Sequence, residues 1–71
     1  MDANQSSTVK YDDVTVKLSG EDGNANVIIG RVAGAIRRAH GADAAKAFAD
    51  EAMSGDYDNV LITAMRTVHV L

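Results

Sequence analysis

Residues 24–41 read NANVIIGRVAGAIRRAHG, and this stretch decides the fold. At 100° per residue its apolar side chains gather on one side, which predicts an amphipathic helix with a core-facing stripe. Asn24 or Asn26 can cap its start, and Gly41 can end it in a left-handed backbone conformation. His40 lies in the last turn, where a partial positive charge is favourable. The predicted stripe consists of Ala25, Ile28, Ile29, Val32, Ala35, Ile36 and Ala39.

Two further helices are predicted downstream. The second covers residues 44–54, with Asp43 as its cap and Gly55 as its stop. Asp56 is predicted to cap the third, whose apolar residues recur at helical spacing. The inner face predicted for the second helix is Ala44, Ala45, Phe48, Ala49 and Ala52. The inner face predicted for the third is Tyr57, Leu61, Ala64, Met65 and Val68.

Strands are predicted at both ends of this helical region. Residues 14–18 alternate β-branched and polar side chains, which indicates a strand with Val14, Val16 and Leu18 inward. Residues 19–24 have turn chemistry, and residues 67–71 alternate again and can pair with the first strand. The predicted fold class is therefore α+β, a small helix-dominated β-α-α-α-β domain with paired terminal strands.

The chain length allows one small domain, because 71 residues bury only a modest core. Residues 1–9 are polar and aperiodic and are predicted to form a disordered tail, which leaves 10–71 as a single globular domain. Of the 33 hydrophobic residues 12 are alanine, and the chain has no cysteine for a disulfide or a thiolate metal site. Pairing with a second copy is the stabilisation that remains, so we expect a homodimer.

No membrane contact or secretion is expected. The first residues lack the basic and apolar regions of a signal peptide. The uncharged run from Gly23 to Gly30 is eight residues long, whereas a spanning helix needs about 20. We therefore expect a soluble protein in the cytoplasm.

The residues that could form a catalytic, metal or phosphate site are better explained as turn and helix-cap residues. Counted from Asp22, a calcium loop would need an acid where Ala33 stands, and no lysine completes a phosphate loop. The carboxylates of Asp56 and Asp58 diverge by roughly 200° on a helix, which suits a cap and a first-turn acid rather than a catalytic pair. The two histidines have no metal-ligand spacing. We therefore expect no catalytic residue, no metal and no cofactor.

Four stretches together resemble a known group of sequences. Residues 16–24 read VKLSGEDGN and are followed by IIG at 28–30, 35–39 read AIRRA, 51–58 read EAMSGDYD and 63–68 read TAMRTV. In this order they resemble small uncharacterised proteins of bacteria and their phages with the pattern L-x-G-x-D-G-N, S-G-D-Y-D and M-[RK]-x-V. Many members carry phenylalanine where this chain has Asn26. The resemblance implies a bacteriophage or mobile-element origin and the cytoplasm of a bacterial host cell.

Charge is divided unevenly along the chain. Residues 24–42 carry three arginines and no acid, whereas residues 43–58 carry five acids and one lysine. On the helical wheel Arg31 and Arg38 are neighbours, and Arg37 lies about 100° away. Glycines fill the space between them, although each costs about 1 kcal/mol relative to alanine in a helix interior.

This basic helix admits three interpretations. It can be a solvated face that pairs with the acidic helices, a surface that binds a protein or a second copy, or a nucleic-acid-binding module that uses residues 24–40. The net charge of -3 argues against strong binding to phosphate backbones. We predict a non-enzymatic accessory protein that acts by protein–protein binding, with nucleic acid as the alternative. The candidate partner-binding residues are Arg31, Gly34, Arg37 and Arg38.

Overall fold

The predicted fold class is confirmed. A computed structural model describes residues 9–18 and 23–71. It shows a mixed α+β fold in which three helices lie between two paired strands. Residues 1–8 of the predicted tail and 19–22 of the predicted turn lie outside the described residues. The elements are β1 (Tyr11–Val16), α1 (Ala25–His40), α2 (Ala42–Ala52), α3 (Tyr57–Thr67) and β2 (Val68–Val70).

The two strands form a parallel pair. Parallel strands need a long crossover between them, and the three helices supply it. Pairing continues past both strands, because the Leu71 N–H donates to the Val16 carbonyl at 2.9 Å and the Leu18 N–H donates to the Leu71 carbonyl at 3.0 Å. The Cα partners are Tyr11 with Val68, Thr15 with His69, and Val16 with Val70.

The first strand lies earlier than the predicted range of 14–18. It begins at Tyr11, which pairs with Val68, and the register of the pair is irregular between Tyr11 and Thr15. The charges of Asp12 and Asp13 hide the apolar alternation in this stretch. The inward direction of Val14 is confirmed, since it is 5% exposed. Val14 and Val16 of this strand therefore pack into the core, whereas Asp12 and Asp13 are exposed.

The stripe predicted on α1 is confirmed along most of its length. Ile28, Ile29, Val32 and Ile36 are buried. Val32 and Ile36 have no exposed surface, whereas Ala39 at the end of the stripe is exposed. The stripe packs against α2, α3 and β1, so α1 is the helix around which the core forms. The buried residues that the other elements contribute are Val14, Val16, Ala45, Phe48, Ala52, Val60, Ala64 and Val68.

Both ends of α1 follow the predicted capping chemistry. The Asn24 side-chain oxygen accepts the Asn26 N–H at 2.8 Å, which is the N-cap bond. Gly41 ends the helix, and its N–H donates to the Arg37 carbonyl at 2.9 Å. Its φ of 97° is in the region that favours glycine, but its ψ of 171° is extended rather than that of the left-handed helix. The stop is confirmed and its exact conformation differs.

The prediction that Asp43 caps the second helix is wrong. Gly41 ends α1 and also begins α2, because its carbonyl accepts the Ala45 N–H at 3.2 Å. The helix therefore starts at Ala42, and Asp43 lies inside the first turn. There its carboxylate complements the partial positive charge of the helix start.

The second helix also ends earlier than predicted, at Ala52 rather than Ser54, so the whole helix is shifted two residues toward the N-terminus. The Ser54 hydroxyl donates to the Glu51 carbonyl at 2.7 Å, and the Asn59 side-chain amide donates to the same carbonyl at 2.9 Å. These bonds satisfy carbonyls that the helix end leaves free. A Cβ at Gly55 would lie 2.9 Å from the Asn59 Cβ, so this corner requires glycine.

Asp56 caps α3 as predicted, because its carboxylate accepts the Asn59 N–H at 3.1 Å. The buried face of the helix, however, is rotated from the predicted one. Tyr57 is 45% exposed and Met65 is 55% exposed, so both were wrongly assigned to the core. The buried residues of α3 are Val60, Thr63, Ala64 and Thr67.

Two threonines explain this rotation. Hydropathy counts threonine as polar, but the Thr67 hydroxyl donates to the Thr63 carbonyl at 2.6 Å inside the helix. This internal bond satisfies the Thr67 hydroxyl, so Thr67 can be buried like an apolar residue. Thr63, one turn earlier, is buried as well. The buried face consequently includes residues that an apolar pattern leaves out.

Side chains on α3 shortened to alanine should distinguish the observed buried face from the predicted one. We expect Val60→Ala to lower the free energy of unfolding by about 2 kcal/mol, because it removes two buried carbons. The melting temperature should fall by about 10 °C. Met65→Ala should change stability by less than about 0.5 kcal/mol. Thermal unfolding followed by circular dichroism measures both, and a larger loss for Met65→Ala would contradict the observed face.

Candidate functional site

An open groove of about 360 Å³ runs along the side of α1 opposite the core stripe. We call this surface the outer face of α1. Its position follows from the helical period, because the stripe occupies one side and leaves the other to solvent. The residues that line the groove are Asn26, Val27, Gly30, Arg31, Gly34 and Arg38.

The floor of the groove is bare helix backbone. A Cβ built on Gly30 would have no atom within 4 Å, and one on Gly34 would meet only the Arg38 Nη1 at 3.7 Å. Neither glycine is therefore required by packing within the described part of the chain. Since each glycine lowers helix stability by about 1 kcal/mol relative to alanine, the open floor calls for an explanation outside the fold itself.

The structure brings together three of the four predicted site residues. Arg31, Gly34 and Arg38 all line the groove, whereas Arg37 does not. Arg37 directly precedes Arg38, and the 100° step between successive residues places it on the other flank. The outer face therefore has a positively charged rim along one side.

Sequence reasoning missed two residues of this surface. Asn26 and Val27 line the groove, and Val27 is an exposed apolar side chain. A signal for Val27 was present, because it precedes Gly30, Arg31 and Gly34 at helical spacing. Glycine spacing and charge alone, however, do not indicate that this valine is exposed.

A second polar cluster joins the end of α1 to β1. The His40 Nε2 lies 3.0 Å from the Asp13 Oδ1, and since a carboxylate only accepts, the imidazole N–H donates. The His40 ring also stacks on Tyr11, with ring centroids 4.3 Å apart. The His40 bond is the main cause that lowers the pKa of Asp13 below its ordinary value of 3.8. The cluster ties the strand to the helix.

The SGDYD motif has a structural role. The SGDYD motif, residues 54–58, forms the α2–α3 corner, with Ser54 and Asp56 in capping bonds. In the described ranges no three histidine or acidic side chains are close enough to hold a metal ion.

A second pocket, beside Phe48, has a volume of about 30 Å³, which is room for about one water. No described helix is long and apolar enough to cross a membrane.

Comparison with known proteins finds no similar protein. The chain matches no protein-family model, no curated protein and no solved structure at a significant level. The outer face of α1 is therefore the feature of the molecule that bears on its function.

The Asp13–His40 pair should make the free energy of unfolding depend on pH. A lowered folded pKa adds stability above pH 3.8, and this stability is lost as the pH falls through the lowered value. We expect Asp13→Asn to be less stable than wild type at pH 5, with the difference shrinking below pH 3.8. Urea unfolding across this range measures it. Asp12→Asn removes the neighbouring charge as a control, and an equal pH dependence for both variants would refute the assignment.

Proposed function

We propose that this protein is a non-enzymatic accessory protein that acts by binding another protein through the outer face of α1. The observation that carries the proposal is the groove, whose glycine floor is open and whose rim carries Arg31 and Arg38. Small residues on a helix let a second helix approach closely. Arginine is enriched at protein interfaces, where it pairs with carboxylates.

The exposed apolar side chain of Val27 supports a protein partner. It lies in the groove beside Gly30, so a docked helix would bury it together with the bare backbone. Burial of this surface would supply the apolar part of the contact, and the arginines would supply its orientation. A purely solvated face gains nothing from the glycines, which only weaken the helix.

The setting of this activity is also part of the proposal. The resemblance in sequence supports a bacteriophage or mobile-element protein in the cytoplasm of a bacterial cell. The small number of large hydrophobic residues in the chain supports self-association, so a second copy is among the proposed partners. The proposal includes no catalytic step, metal or cofactor.

Nucleic acid is the second candidate partner of the same helix. Three arginines on α1 and no acidic residue in the helix favour it. The net charge of -3 opposes it, because phosphate neutralisation dominates such binding. The two candidates differ in how binding responds to salt and to the glycine floor.

Filling the groove should separate folding from binding. We expect the double variant Gly30→Leu with Gly34→Leu to melt no lower than wild type, since leucine is a better helix former and its Cβ meets no clash at either site. Binding should be lost because the floor is covered. Cross-linking of tagged protein in bacterial lysate, quantified by mass spectrometry, measures partner capture.

The matched control adds two leucines elsewhere. Asp58→Leu with Arg66→Leu places them at exposed positions of α3 and keeps the net charge. This variant should capture the same partners as wild type. If the groove-filled variant also captures them at an undiminished level, the outer face of α1 is not the binding surface.

The nucleic-acid candidate has its own test. If α1 binds phosphate, the affinity for labelled DNA or RNA should fall steeply with salt, and changing Arg31, Arg37 and Arg38 together to glutamine should abolish binding. Fluorescence anisotropy at low salt with micromolar protein measures this. We expect no change in anisotropy from the wild-type protein, and a salt-sensitive signal that the glutamine variant loses would favour nucleic acid instead.

A further inference from the structure

We infer that the outer face of α1 binds α2 of a second copy of this chain, with the two helices antiparallel in a two-fold dimer. This inference rests on the proposed function, because it uses the same face and names its occupant. It is carried by charge complementarity between two exposed helix faces of the same molecule. The basic face belongs to α1, and the acidic one belongs to α2.

The acidic face lies on the solvent side of α2. This side is exposed and the opposite side of the helix is buried. The exposed residues that form it are Asp43, Lys46, Ala47 and Asp50. Lys46 pairs with Asp50 within the helix, with the Lys46 Nζ 2.9 Å from the Asp50 Oδ2. We call this surface the outer face of α2. It has two carboxylates with a small residue between them.

The two outer faces have the same spacing of charge. Arg31 and Arg38 are seven residues apart, and so are Asp43 and Asp50. Seven residues span about 10.5 Å along a helix, which is two turns. Each pair therefore presents its charges at the same separation on one side of its helix.

One antiparallel register places both arginines opposite aspartates and the small residues opposite each other. Each step forward along α1 is a step back along a facing α2. Arg38 opposite Asp43 therefore places Arg31 opposite Asp50. The same register sets Gly34 opposite Ala47, so the two small residues meet at the centre. The backbones can approach there, which brings short aspartates within reach of the longer arginines.

The existing pair on α2 does not oppose this contact. Lys46 and Asp50 have side chains that are 75% and 61% exposed, and such an i,i+4 pair contributes only about 0.3–0.5 kcal/mol. Lys46 bonds the Oδ2 of Asp50. A carboxylate has two acceptor oxygens, so its Oδ1 can accept from an arginine.

Other modes of self-association are less favourable. Pairing α1 with α1 would bring two arginine rims together, and like charges repel. Among the described strands the far edges of β1 and β2 are both unpaired. β2 offers few hydrogen bonds because it has three residues, and the charges of Asp12 and Asp13 on β1 oppose pairing with a second copy of the same strand. A two-fold pairing of α1 with α2 uses both faces of each copy and closes on itself.

Charge reversal on the full chain tests the inference. The α1 variant carries R31E and R38E, and the α2 variant carries D43K and D50K. At high micromolar concentration and low salt, sedimentation of wild type should give twice the 7.5 kDa chain mass, and about 0.5 M salt should dissociate it. Each variant alone should be monomeric, because both of its outer faces then carry the same sign. Circular dichroism checks that both fold.

Mixing supplies the decisive measurement. Equimolar α1 variant and α2 variant should restore the two-chain mass, because each acidic face then meets a basic one. Native mass spectrometry should find one chain of each. The neutral variants R31Q with R38Q and D43N with D50N should weaken the dimer at least tenfold, which keeps the test valid if a reversed variant does not fold.

Four results would overturn the inference. They are a monomeric wild type, an α2 variant that still dimerises, a mixture that stays monomeric, and a ladder of higher masses. The lysate assay with the groove-filled protein reports on the proposed function independently. A monomer that still loses partners when Gly30 and Gly34 are filled would retain the proposed function and exclude the second copy as occupant.

Discussion

The apolar stripe of α1 packs against β1, α2 and α3, and the fold depends on this contact. Val32 and Ile36 have no exposed surface, so this helix contributes two of the most deeply buried side chains of a small core. A helix that buries one side so completely leaves the other to solvent. That other side carries Gly30, Gly34 and the arginine rim, so folding and the proposed binding use opposite faces of one helix.

Short connections let this core form in so short a chain. Gly41 serves as the end of α1 and the start of α2, so no loop separates them. At the next corner, Asn59 bonds the end of α2 from within α3. Each corner satisfies backbone groups that a helix end leaves free. In a chain without cysteine, such bonds take the place of covalent cross-links in fixing the helices.

Sequence rules predicted the features that depend on local chemistry. The caps at Asn24 and Asp56 follow from bonds within three residues, and the α1 stripe follows from its period. The start of α2 was missed because no local rule indicates that one glycine serves two helices. The buried face of α3 was not predicted because hydropathy counts Thr63 and Thr67 as polar, although both are buried and the Thr67 hydroxyl is satisfied inside the helix. At the site, the period placed Arg31 and Arg38 on one flank and Arg37 on the other.

The arrangement of charge follows from the same geometry. The two consecutive helices have opposite net charge, but their outer faces both point to solvent. Arg38 of one helix and Asp43 of the next lie on exposed surfaces, so their complementarity remains available to a second molecule. A protein with a net charge of -3 therefore presents a basic face. An acidic helix would complement such a face, because it would gain both from close approach to the glycines and from the arginine rim.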